Sequence, residues 1–258
     1  MQLNFKQMGQ GPALVILHGF LGSSDNWVSL ARNYFAPHYT VYLVDARNHG
    51  ESPHDNEHSY AAMVADLLEF LNTHSIDKAI IMGHSMGGKT AMLFACENPD
   101  RIEKLIVVDM MPGVYEHSNL PVVEAMRKLD FDTLKSRKEA DEALSADLPS
   151  FTLRQFVLKN IYWETKERLG WRPNLKVLAD TIDHLNEALS PDHIFTGPTL
   201  FVRGELSDYI KGPEVADINL HFPNAVIETI DGAGHWVQAE KPEEFCSTVL
   251  KWLGAIGK

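Results

Sequence analysis

Six short apolar runs constrain this chain most: Ala13 to Leu17, Thr40 to Val44, Ala79 to Met82, Lys104 to Val108, Pro198 to Val202 and Val226 to Ile230. They are near-continuous rather than alternating, the pattern of strands covered on both faces, and helical patterns separate them. Strand, helix and strand in series build a parallel sheet with helices packed on it. Trp27 to Phe35 has helical spacing behind Ser24 or Asp25 as a cap. Ser59 stands before a helix from Tyr60 to about Thr73, in which Met63, Val64, Leu67, Leu68 and Leu71 recur every three or four residues as one apolar stripe. Asn98-Pro99 stops a helix from Gly87 to Glu97, and helices from Glu214 to His221 and from Pro242 to Trp252 complete the series, the last with Gly254 past its end.

From Met110 to Ser190 the character changes to helical runs broken by Pro112, Pro121, Pro149 and Pro173, with no convincing strand. The expected division is therefore a core made of residues 1–109 and 191–258, with residues 110–190 inserted as a helical cap. No repeat or low-complexity linker interrupts it. Lys and Arg number 23 against 35 Asp and Glu, a formal charge of −12 that repels phosphate backbones, so no nucleic-acid partner is expected. No apolar stretch approaches the roughly 20 residues that span a bilayer, so no membrane insertion is expected either. Met1 to Gln7 has neither a basic nor an apolar leader segment, which makes a cytoplasmic location the expectation. Cys96 and Cys246 read as two separate reduced thiols.

Gly83-His84-Ser85-Met86-Gly87 lies between a strand run and a helix. A G-x-S-x-G in that setting is a sharp turn that holds a serine hydroxyl clear of the backbone, with glycines where strand and helix approach. The helix start also aims the Met86 amide at charge developing beside Ser85. A serine hydroxyl needs an imidazole to take its proton. Of the twelve histidines, His235 alone sits in a glycine-flanked loop, Gly234-His235-Trp236, directly after a late strand and so at the same end of the sheet. His74, His184 and His221 belong to helices or their ends and read as solvated or capping side chains. The imidazole needs a carboxylate behind it, and Asp109, Asp208 and Glu205 all follow strands; Asp109, ending the strand after the nucleophile strand, is the first choice and the other two are alternatives.

His18-Gly19-Phe20-Leu21-Gly22-Ser23, Asp45 to Ser52, Gly83 to Lys89, Val108-Asp109 and Gly232 to Val237 together resemble the α/β-hydrolases, and within them small bacterial serine esterases of the YbfF type. The resemblance covers essentially the whole chain. It implies an α/β-hydrolase fold, a mostly parallel central sheet flanked by helices, with a helical cap inserted after the strand that follows the nucleophile strand. It makes the Phe20 amide the second oxyanion donor beside Met86. It also favours Asp109: where related hydrolases carry an acid three residues past a strand-end glycine, Gly204 here is followed by Ser207, and Asp208 falls one residue late. The Asp45 to Ser52 loop reads as architecture.

The implied substrate is a small-molecule carboxylic ester or thioester with a small to medium acyl group, cleaved through an acyl-Ser85 intermediate with no cofactor and no metal. Two alternatives share the fold: a C–C hydrolase or carboxylate-eliminating lyase, for which Arg127, Arg154, Arg168 and Arg172 of the insert are available, and a ligand-binding receptor with little turnover. Tyr115, Phe131, Phe151, Phe156, Tyr162, Trp163 and Trp171 are the aromatics available to a cap pocket, though most should form the cap's own core. His54-Asp55-Asn56-Glu57-His58 matches a metal-binding H-x-x-E-H pattern, but it sits in a polar loop rather than on a helix, so no zinc site is expected. Oligomeric state is left open.

Overall fold

The structure is a computed structural model and describes residues 1–114 and 119–256. Strands β1 (Phe5–Met8), β2 (Ala13–Leu17), β3 (Thr40–Val44), β4 (Ala79–His84), β5 (Ile102–Val108), β8 (Thr199–Gly204) and β9 (Ala225–Ile230) form one sheet in the order β1-β3-β2-β4-β5-β8-β9. All neighbours are parallel except β1 with β3. All six expected strands are there. The antiparallel edge strand β1 was not expected, because its alternation of half-buried and exposed residues is weak over four positions.

Side chains alternate across the sheet. Val15, Leu17, Ile81, Leu105 and Val107 face one layer of helices, α2 (Tyr60–Thr73), α3 (Met86–Glu97) and α8 (Gly212–His221). Leu14, Ile16, Ile80, Met82, Ile106 and Val108 face the other, built from Trp27, Phe35 and α10 (Pro242–Leu253). Fully burying each such aliphatic side chain is worth about 1.5–3 kcal/mol. Ser59 caps α2, its hydroxyl accepting from the Ala62 amide at 3.2 Å, and Gly254 closes α10 in the left-handed conformation at φ 79.

Between β5 and β8 lie α4 (Leu120–Arg127), α5 (Arg137–Leu144), α6 (Phe151–Leu158) and α7 (Leu175–Asp180), with a hairpin of β6 (Ile161–Trp163) and β7 (Leu169–Trp171). The hairpin corrects the strand-free reading of this segment. Strands of three residues carry too little alternation to register, and their turn is held by the Glu164 amide donating to the Arg168 carbonyl at 2.9 Å. The helices of this segment share an apolar cluster with Phe20, Leu21, Tyr60 and Met86 of the core. At its neck the buried Lys89 ammonium donates to the carbonyls of Pro112, Gly113 and Glu187, and burial pushes this lysine down to about 7. Among the described residues no helix is long and apolar enough to cross a membrane.

Chain order reverses at β2, which has β3 on one side and β4 on the other. Loops leaving the carboxyl ends of β2 and β4 therefore diverge and leave a crevice, the place where open α/β sheets bind ligands.

Candidate active site

Ser85 links β4 to α3 with φ 53 and ψ −119, a conformation that costs a non-glycine residue about 1–3 kcal/mol. The flanking glycines make it attainable. A Cβ on Gly83 would stand 2.1 Å from the Gly87 carbonyl oxygen, and one on Gly87 would stand 2.5 Å from that of Leu17. Met86 opens α3, so its amide has no partner within the helix and lies at the helix's positive end, directly after Ser85 in the chain.

The loop after β2 lies against this elbow. A Cβ on Gly19 would meet His84 Nδ1 at 2.8 Å and Ser85 Cβ at 3.2 Å, so only glycine lets the two loops come so close. His18 is buried beneath it, Nδ1 donating to the Gly19 carbonyl at 2.8 Å and Nε2 accepting from the Ala46 amide at 3.0 Å. Burial lowers its pKa, consistent with a neutral ring that both donates and accepts. The Phe20 amide makes no hydrogen bond among the described residues.

Three distant segments converge on His235. Its Nδ1 lies 2.7 Å from Asp109 Oδ2, which makes Nδ1 the protonated nitrogen and leaves Nε2 its lone pair. Asp109 is fully buried at φ 49, and its amide donates to the Val202 carbonyl at 2.8 Å. A buried carboxylate stays charged only if it is fully hydrogen-bonded. Oδ1 accepts from the Gly204 amide at 3.1 Å, and Oδ2 also accepts from the Ser207 hydroxyl. Tyr209 stacks on the imidazole, with ring centroids 3.8 Å apart and planes 9° from parallel. Ser85 and His235 line one cavity without a hydrogen bond between them, a link that commonly tightens only around substrate.

The other carboxylates go elsewhere. Asp208 is exposed and pairs with Lys211 at 2.6 Å, while Glu205 accepts from the Gly232 amide at 2.8 Å. Glu240 takes the amides of Gly234 and Trp236, at 2.8 and 3.2 Å, and His84 Nε2 donates to the His235 carbonyl at 2.9 Å. The loop bearing His235 is thus clamped from several sides. The sequence shows Ser207 only as the residue standing where related hydrolases carry an acid, and gives Tyr209 no role, because nothing local says that a serine will face a carboxylate 98 positions away.

The cavity above Ser85 holds about 400 Å³ and is walled by Phe20, Val122, Leu153, Phe156, Tyr209 and Trp236 among others. Phe151 and Phe156 are the expected aromatics that reach it; Phe131 and Trp171 pack together within the segment between β5 and β8, and Tyr115 lies outside the described residues. The four arginines named above are each engaged with a carboxylate, Arg127 with Glu124, Arg154 with Asp141, Arg168 with Asp132 and Glu164, and Arg172 with Glu51, while a fifth, Arg137, donates to the Ile161 carbonyl at 2.8 Å. His54 contacts the Arg172 carbonyl at 2.8 Å on the outside, while His58 is buried against His49, so the two histidines diverge. His221 corrects the expectation of a solvated helix end: it is buried, its Nδ1 2.6 Å from the His193 carbonyl.

A family model described as the alpha/beta hydrolase fold matches residues 12–242. The chain is 39% identical over 249 residues to the sn-1-specific diacylglycerol lipase ABHD11 of Mus musculus, spanning 94% of this chain and 81% of that protein. It is 35% identical over 244 residues to the esterase YbfF of Escherichia coli strain K12, spanning 93% and 92%. A solved marine microorganism esterase superposes with a TM-score of 0.94 at 39% identity, covering 97% of this chain and 99% of its own.

Proposed function

The chain belongs to the α/β-hydrolase fold family, and from that premise we propose that it is a serine esterase acting on small-molecule carboxylic esters or thioesters through a covalent acyl-Ser85 intermediate. The observation that carries this reading is the buried Asp109 carboxylate accepting at 2.7 Å from Nδ1 of His235, a residue that lines one cavity together with Ser85. Names of similar proteins, a diacylglycerol lipase and two esterases, support ester cleavage as the reaction class.

In the proposed reaction Ser85 Oγ attacks the carbonyl carbon and its proton passes to His235 Nε2. The new oxyanion takes hydrogen bonds from the amides of Phe20 and Met86, each such donor being worth about 3–4 kcal/mol in the transition state. Asp109, held in place by hydrogen bonds from Ser207 and Gly204, stabilises the imidazolium without taking its proton. The carbon–oxygen or carbon–sulfur bond then breaks, the leaving group takes the proton from Nε2, and acyl-Ser85 remains. Water enters, gives a proton to His235 and attacks the acyl carbon, releasing the carboxylic acid and restoring the Ser85 hydroxyl.

Apolar walls suit a hydrocarbon acyl chain, and about 400 Å³ suits a small to medium one. Lys159 is the lysine or arginine that lines the cavity, and the paired arginines leave little to recognise an anionic substrate, which weighs against the C–C hydrolase reading. Fluorophosphonate labelling with peptide mapping tests the proposal. The expected result is one adduct on Ser85 and loss of p-nitrophenyl ester hydrolysis in Ser85→Ala; wild-type rates in that variant would remove it.

A further inference from the structure

The amide assigned to the oxyanion belongs to Phe20, and the next residue, Leu21, sits at φ 56, a left-handed conformation that a leucine does not hold unaided. Something must hold it. The Leu21 amide donates to His49 Nε2 at 3.2 Å, and the His49 ring is fixed in turn by Nδ1 donating to the Arg47 carbonyl at 3.0 Å. The Leu21 carbonyl accepts from Asn160 Nδ2 at 2.8 Å. Asn160 lies in the cap, just past α6, the helix whose Leu153 and Phe156 wall the cavity.

The carboxamide has one possible orientation. Its nitrogen faces two carbonyls, Leu21 at 2.8 Å and Val157 at 3.2 Å, and both only accept. The side chain is buried, and the Asn160 carbonyl accepts from the Arg172 amide at 3.0 Å, so the group is held at its backbone too. Packing runs the same way: the side chains of Phe20 and Leu21 belong to the apolar cluster that contains Val157 and Leu158 of α6. The cap therefore touches the oxyanion loop by a directed hydrogen bond as well as by apolar contact.

We propose that Asn160 is a positioning residue whose grip on the Leu21 carbonyl, opposite the His49 grip on the Leu21 amide, holds the strained loop that aims the Phe20 N–H. The oxyanion hole is then complete only while α6 is seated over the cavity. A change in the cap, far from the breaking bond, reaches the transition state through this directed contact. The inference rests on the esterase reading above and adds to it a link between cap and oxyanion.

Three proteins test it: the wild type, Asn160→Leu, and Asn160→Ser, whose shorter hydroxyl can still reach the Val157 carbonyl one turn back but not Leu21. Sites are counted by exhaustive fluorophosphonate titration, and kcat per titrated site and KM are measured with p-nitrophenyl butyrate. Outright loss of an oxyanion donor costs about 100- to 1,000-fold, so a misaimed one should lower kcat per site by about 10- to 100-fold in both variants, with KM within about 2-fold. An unchanged kcat per site with fewer titrated sites would mean that Asn160 only stabilises the fold, and a loss confined to KM would mean that it only shapes the cavity; either overturns the proposal. If the leucine variant does not fold, the serine variant decides alone. Wild-type protein without Ser85-dependent turnover would instead remove the esterase reading beneath it.

Discussion

Asp109→Asn tests the proposed chemistry at its most buried contact. Asp109 Oδ1 accepts from the Gly204 amide, and Oδ2 accepts from both His235 Nδ1 and Ser207. Asparagine has one acceptor oxygen to place. The Gly204 amide is a fixed donor, so the oxygen belongs at the Oδ1 position and the NH2 group at Oδ2, facing the ring. Nδ1 must then accept, which moves the imidazole proton to Nε2, where it blocks transfer from Ser85. The opposite orientation sets NH2 against the Gly204 N–H, leaving buried donors without acceptors at about 1–3 kcal/mol each.

The wrong tautomer costs a serine triad about 10,000-fold in kcat, or roughly 5.4 kcal/mol at 1.36 kcal/mol per decade. Initial rates of p-nitrophenyl butyrate hydrolysis near neutral pH measure it, with Ser85→Ala as the floor and Asp208→Asn as the control for the alternative acid. KM should move little, because the lost interaction develops only as the imidazolium forms. Asp208→Asn should stay within about 3-fold of wild type, since that carboxylate faces Lys211 and solvent. Asp109→Asn within about 10-fold of wild type, or Asp208→Asn sharing its loss, would refute the reasoning.

Ser207→Ala removes one charge-assisted hydrogen bond to a buried carboxylate, worth about 1.5–3 kcal/mol, and should lower kcat by about 10- to 100-fold while leaving Ser85 able to react with a fluorophosphonate. His58 is buried with neither ring nitrogen partnered among the described residues, and burial, with Arg47 nearby, pushes it down to about 4. The unfolded chain takes up that proton as pH falls below about 6.5 and the folded chain resists until about 4, so this residue withdraws stability across that window. His58→Leu should flatten the fall in melting temperature between those pH values in a calorimetric series and raise stability at neutral pH by about 1–3 kcal/mol; a profile parallel to wild type would contradict it. Gly87→Ala forces a methyl group to 2.5 Å from the Leu17 carbonyl oxygen, so it should yield little soluble protein or protein that no fluorophosphonate labels; a normal yield with normal labelling would show that the elbow relaxes.

The sheet was legible because its strands are buried on both faces and helices separate them, so a run such as Ala79 to Met82 has no other reading. The elbow was legible because G-x-S-x-G is a local demand, each glycine answering a contact within a few residues or in the adjacent strand. What stayed hidden was short or long-range. β1, β6 and β7 have three or four residues each, below what alternation can register. The burial of His221 depends on the segment at His193, and the neighbours of Asp109 depend on how β5, β8 and the loop after β9 align in register. Asp208 and Glu205 lie as close to the right strand end in sequence as Ser207 does. Only the direction in which each side chain leaves its loop separates them.

That direction is set by backbone strain as much as by residue type. Five non-glycine residues have positive φ among those described, and Leu21, Ser85 and Asp109 are three of them. Each is worth about 1–3 kcal/mol of unfavourable conformation, and each is held by partners from elsewhere in the chain. Leu21 is held by His49 and Asn160, Ser85 by its amide donating to the Val108 carbonyl at 3.1 Å, and Asp109 by Val202, Gly204 and Ser207. Relaxing any one of them would stabilise that residue locally and turn its functional group away from the cavity. The neighbouring strands and the segment between β5 and β8 prevent it, so that two residues the proposed chemistry uses, Ser85 and Asp109, and the neighbour of a third, Leu21, hold conformations that their own sequence does not favour.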